Sequence, residues 1–104
     1  MKSNQGRTVE VHQGDSILIR LDESPTTGYR WEVHKINSSI LEIQGSDYLM
    51  AHGVTDIGGG GTRTIRFRTK SNGEGLIQLR LRRAWEPEDV FLEHFETTII
   101  VKEN

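Results

Sequence analysis

The side chains of this sequence that carry chemistry are four histidines, a hydroxyl-rich turn, two groups of carboxylates and a run of glycines. His12, His34, His52 and His94 suggest a metal, but none stands in the His-x-His or His-Glu-x-x-His spacing that turns two imidazoles toward one ion. Ser24, Thr26 and Thr27 are nucleophiles by type, yet activation needs a base within hydrogen-bond reach, and no motif supplies one. Asp22-Glu23 and the group Glu86, Glu88, Asp89 lack the alternating oxygen ligands and the turn-defining glycine of a calcium loop, and read as solvated loop charge. Gly58, Gly59, Gly60 and Gly61 leave amides open to a phosphate. Neither the Lys-Ser/Thr of a P-loop nor a helix follows them, because Thr62-Arg63-Thr64-Ile65-Arg66-Phe67 alternates as a strand. The expectation is a protein that binds and does not catalyse, with no metal and no cofactor.

Recognition is left, and three segments suit it. Ser24-Pro25-Thr26-Thr27-Gly28-Tyr29-Arg30-Trp31 places two hydroxyls at the tip of a turn stiffened by proline. Pro25 presets its own φ, and Gly28 permits a positive φ that the β-branched threonines resist. A loop ordered in advance loses less entropy when it binds. The glycine run, residues 58–61, offers backbone that can approach another surface closely. Arg83-Ala84-Trp85 closes a strand among charges, and tryptophan and arginine are the types that most often dominate interface energies. Each segment also has a plainer reading, as an ordinary turn, a hairpin tip, or a tryptophan folded back on the core.

The elements that must position these segments are strands. Ile17, Ile19 and Leu21 alternate with Ser16, Leu18 and Arg20, after a turn at Gly14-Asp15 across which residues 8–12 are expected to pair. Tyr29, Trp31 and Val33 alternate with Arg30, Glu32 and His34, with Trp31 expected to anchor the core. Residues 39–44 and 47–54 form shorter, less regular runs. Ile65 and Phe67 then point inward against Arg66 and Arg68, and Asn72-Gly73 favours a two-residue hairpin into Ile77, Leu79 and Leu81. Phe95, Thr97, Ile99 and Val101 end the series. The outward Arg66, Arg68, Arg80 and Arg82 form a basic stripe if their strands pair, and are expected to meet acidic neighbours. About seven or eight short strands separated by turns predict an all-β, immunoglobulin-like sandwich, without the Cys…Trp…Cys mark of antibody domains.

The whole chain narrows the partners. Its 104 residues suit a single domain, residues 1–104, and a net charge of −2 gives no field that would gather nucleic acid or an anionic membrane. No cysteine is present, so disulfides, thiolates and Cys-based zinc sites are absent together. No stretch has the length of a secretory leader or a membrane span. The expectation is a soluble protein, monomeric when free, whose compartment the sequence leaves open.

Taken in order, the three segments resemble the chagasin family, proteinaceous inhibitors of papain-like cysteine peptidases. That family carries Asn-Pro-Thr-Thr-Gly-Tyr/Phe-x-Trp early, Gly-x-Gly-Gly in the middle and Arg-Pro-Trp late. Here Ser24 and Ala84 stand in place of the asparagine and the late proline. The resemblance implies a non-covalent wedge of three loops at one end of the sandwich. Its contact set would be Pro25, Thr26, Thr27, Gly28, Tyr29, Gly58, Gly59, Gly60, Gly61, Arg83, Ala84 and Trp85. The Thr26-Thr27-Gly28 tip would lie over the catalytic cysteine and histidine, with the glycine loop on one side and Trp85 on the other. The rival reading is an Ig-like adhesion or carbohydrate-binding module that stacks sugars on Trp85 and Tyr29.

Overall fold

Period-2 alternation builds seven strands among the residues that the computed structural model describes, 7–50 and 60–103. They are β1 (Arg7–His12), β2 (Ser16–Glu23), β3 (Tyr29–Ile36), β4 (Leu41–Met50), β5 (Gly61–Thr69), β6 (Gly73–Arg83) and β7 (Glu93–Lys102). One sheet has the order β1-β7-β6-β3 and the other the order β2-β5-β4. The inward residues of the two sheets meet as one core, with Phe67, Ile77, Leu79 and Ile99 fully buried and Trp31, Leu41, Ile65 and Phe95 beside them. The all-β immunoglobulin-like sandwich read from the sequence is the observed architecture.

Three expectations about connections are corrected. β1 does not pair with β2 across Gly14-Asp15. It runs parallel to β7, with Val9 opposite Ile99 and Val11 opposite Val101. The turn carries the chain from one sheet to the other. The Thr69 hydroxyl pins it, accepting from the Gly14 amide at 2.7 Å and lying 3.2 and 3.1 Å from the carbonyls of His12 and Asp15. Asn72-Gly73 is likewise no hairpin, because β5 and β6 lie in different sheets. Its flank bonds the β3–β4 turn instead: Lys70 N–H donates to the Ile40 carbonyl at 2.7 Å and Ser71 Oγ to the Ser39 carbonyl at 2.8 Å. Finally, residues 39–44 and 47–54 are not two runs. Residues 41–50 form the single strand β4, whose alternation is broken by a bulge between Ile43 and Gly45. Residues 51–54 lie outside the described residues.

The strand register decides where the loops point. In the three-stranded sheet Glu23 and Met50 both lie opposite Gly61, and in the other sheet Tyr29 lies opposite Arg83. The β2–β3, β4–β5 and β6–β7 connections therefore leave from the same ends of their sheets, while the β1–β2, β3–β4 and β5–β6 turns lie at the other.

Candidate functional site

The first loop begins with a 3-10 turn, Pro25–Thr27. Its geometry follows from its residue types. Thr27 bonds back to the Ser24 carbonyl through its amide at 3.3 Å and its hydroxyl at 2.8 Å, and the Ser24 and Thr26 hydroxyls lie 3.2 Å apart. Gly28 then takes φ +83°, as expected of the glycine at that place. Thr26 and Thr27 are left exposed at the tip.

The third loop closes over the first. A Cβ on Gly28 would collide with the Trp85 indole, with Cζ3 at 3.2 Å and Cζ2 at 3.3 Å, so the ring edge rests where glycine alone leaves room. Arg83 lies between the aromatic rings, 4.3 Å from the centroid of Tyr29 and 5.7 Å from that of Trp85, and donates from Nε to the Thr27 carbonyl at 3.0 Å. Trp85 remains 71% exposed. It is not folded back on the core, and its site costs apolar exposure that a free protein has no reason to keep. The loop beyond is tied down by Val90 N–H to the Pro87 carbonyl and by Leu92 N–H to the Leu81 carbonyl, at 2.9 and 2.8 Å.

Of the glycine run, Gly60 and Gly61 are described, and Gly58 and Gly59 lie outside the described residues. Gly60 lies against the base of the first loop: a Cβ there would meet the Glu23 carbonyl oxygen at 3.2 Å and Ser24 Cβ at 3.8 Å. The structure thus brings Thr26, Thr27, Gly28, Tyr29, Gly60, Gly61, Arg83, Ala84 and Trp85 to one edge, with Pro25 in the turn itself. Tyr29 is less open than a sugar platform requires, because the Arg83 guanidinium covers its ring.

Two features of this edge differ from what the sequence implied or were not read from it. Glu23 is not solvated loop charge but 4% exposed, paired with Arg63 beneath the loops; its partner in that expectation, Asp22, is exposed. Leu92 is 57% exposed and lines a hollow of about 630 Å³ together with Ser24, Thr27, Gly60 and Leu81. The signal for Glu23 was available, since it continues the inward series Ile17, Ile19, Leu21 at the same period. For Leu92 no periodic signal exists, because it precedes β7. The strands that carry the outward arginines do not pair, so the condition for a basic stripe is not met. Arg66 and Arg68 lie in one sheet and Arg80 and Arg82 in the other, and Arg66 and Arg82 meet Asp47 and Glu32 at 3.4 and 3.1 Å. His12, His34 and His94 stand on three different strands, and His52 lies outside the described residues.

Comparison with known proteins gives a consistent result. The pattern of the family described as Chagasin family peptidase inhibitor I42 matches residues 10–99. Amoebiasin-1 of Entamoeba histolytica is 33% identical over 88 residues, which cover 83% of this chain and 82% of that protein. Among solved structures, a cysteine protease inhibitor from Entamoeba histolytica superposes with a TM-score of 0.86 at 20% identity, over 97% of this chain and 91% of that one. PbICP-C, solved in complex with falcipain-2, superposes with a TM-score of 0.66 at 16% identity, over 97% of this chain and 92% of that one. At those identities the two structures speak for the fold.

Proposed function

The chain belongs to the chagasin family of peptidase inhibitors, and on that premise we propose how it works: as a reversible inhibitor of papain-like cysteine peptidases that plugs the active-site cleft with three loops and reacts with nothing. The protein is an inhibitor and not an enzyme. The observation that carries the mechanism is the convergence of the tip at residues 26–28, the glycine segment and Trp85 on one edge, with Arg83 joining the tip to Trp85 and Gly60 seated against Glu23 and Ser24.

The tip is suited to fill a cleft without being cut. Attack by a thiolate needs a carbonyl carbon at about 3–3.5 Å in an aligned approach. The Ser24 carbonyl is turned back into the turn by Thr27, and the Thr27 carbonyl is held by Arg83. A peptidase therefore meets a folded-back backbone whose Ser24 and Thr27 carbonyls are already engaged. Trp85 supplies the large apolar contact to one side, and Gly60 and Gly61 keep the other side low. A wedge of this kind is expected to bury about 1,600 Å² in total, the standard size for inhibitors that bind proteases. The same loops act within one unit spanning residues 1–104.

Titration of papain with the purified protein tests this. Residual hydrolysis of a small fluorogenic substrate is expected to fall to zero near equivalence and to return on dilution. Undiminished hydrolysis at micromolar inhibitor overturns the reading.

A further inference from the structure

At the point where β2 ends and the first loop begins, strand alternation carries an ion pair into the interior. Glu23 follows Ile19 and Leu21 on the inward face of β2, and Arg63 precedes Ile65 and Phe67 on the inward face of β5. The Glu23 side chain is 1% exposed and that of Arg63 12%. Arg63 donates from Nη2 at 2.7 Å and from Nε at 2.9 Å to Glu23 Oε1, and its Nε also reaches Oε2 at 3.3 Å. Glu23 Oε2 accepts the Trp31 backbone N–H at 2.7 Å. Arg63 Nη1 reaches Ser46 Oγ at 3.2 Å, and its guanidinium lies 5.6 Å from the Tyr48 ring centroid. The Tyr48 hydroxyl in turn donates to the Glu23 carbonyl at 3.3 Å.

Two ions buried in this way are a weak source of stability, since desolvation offsets their attraction and apolar residues of the same volume often do as well. What the pair supplies is direction. A forked guanidinium fixes the plane of the carboxylate, and the second oxygen is then aimed at one backbone amide. That amide belongs to Trp31, on the far side of the loop, while Trp31 Nε1 donates to the Asp22 carbonyl at 2.9 Å. Residues 24–30 are thereby bracketed at both ends. We propose that Glu23 and Arg63 are positioning residues for inhibition, holding the turn at residues 24–28 in the folded-back shape that resists cleavage, so that breaking the pair turns the inhibitor toward a substrate. The proposal rests on the inhibitory reading above.

The test uses the full chain with Glu23→Gln, which keeps the side chain's shape but loses the charge, and Arg63→Lys, which keeps the charge but loses the fork. Thr69→Val serves as a control, since it loosens the fold at the opposite end. Three quantities are read: amide exchange of residues 26–31 in the free protein, Ki for papain, and intactness of the chain after long incubation with active papain. Both pair variants are expected to exchange the Trp31 amide about tenfold faster or more relative to β6 and β7, a local opening in the sense of sub-global unfolding. Ki is expected to rise at least about tenfold, and mass spectrometry to find cuts between residues 24 and 29. The control keeps its Ki and stays intact. If Glu23→Gln unfolds, Arg63→Lys is read in its place. Pair variants that remain intact with wild-type Ki and a protected Trp31 amide overturn the proposal, as does cleavage no greater than in the control. If the wild type itself leaves papain active, the inhibitory reading fails, and exchange in the free protein still decides the positioning role.

Discussion

Replacing Gly28 with alanine separates two effects that the structure places at one residue. The first is backbone strain: an L-residue held at φ +83° costs about 1–2 kcal/mol, a loss of folding stability that is the same free or bound. The second is displacement of Trp85, because the new Cβ lies within the space of its ring. A dislodged tryptophan forfeits a contribution of about 2 kcal/mol, the size typical of a hot spot, and that loss appears in binding. Gly28→Ala is therefore expected to lower stability by about 1–2 kcal/mol in urea unfolding and to weaken inhibition about 30-fold, at 1.4 kcal/mol per tenfold. A double-mutant cycle identifies the route. In a Trp85→Ala background the stability loss should persist, and the further loss of inhibition should nearly vanish. An equal loss of inhibition with and without Trp85 would refute the claim that Gly28 acts by seating the ring, and unchanged unfolding would refute the strain.

Other outcomes follow from the same geometry. Arg83→Lys keeps the charge but loses the planar group between Tyr29 and Trp85 and the Nε bond to Thr27; inhibition should weaken by about 1–2 kcal/mol, read as Ki. Thr69→Val removes a hydroxyl that serves three backbone groups at the Gly14 turn, and should lower stability by about 1–3 kcal/mol in urea unfolding with Ki unchanged. Phe67→Ala empties the centre of the core and should cost about 3–5 kcal/mol, seen as a shift of the thermal midpoint, while the protein that remains folded inhibits normally.

Much of this molecule was legible from period-2 alternation. Ile17 to Leu21, Trp31, Ile65 with Phe67, the Ile77 series and the Phe95 series all face the core as their spacing implies. The positive φ at Gly28 followed from the steric limits of the threonines before it. What the pattern did not reveal was which strand each turn delivers the chain to. Gly14-Asp15 and Asn72-Gly73 have the residue types of hairpins, but bonds to distant segments tie them down: Gly14 N–H donates to the Thr69 hydroxyl in one case, and in the other the preceding Lys70 and Ser71 donate to the Ile40 and Ser39 carbonyls. Local turn chemistry permits a reversal; bonds of long sequence separation decide whether it closes a hairpin or crosses between sheets. Glu23 was misjudged because residue type outweighed position. A carboxylate is rarely buried, yet its place in the series after Leu21 put it inside, where Arg63 was brought by the same rule on another strand.

Amide exchange of the protein alone and in its complex with a papain-like peptidase shows whether the three loops bind as one wedge. Exchange should slow in residues 26–31, 60–63 and 83–92 together, with the chain recovered whole from the complex and the opposite end of the sandwich unaffected. Protection confined to the sheet faces or to the end that carries Gly14 and Asn72, or a chain cut at residues 26–28, would contradict it.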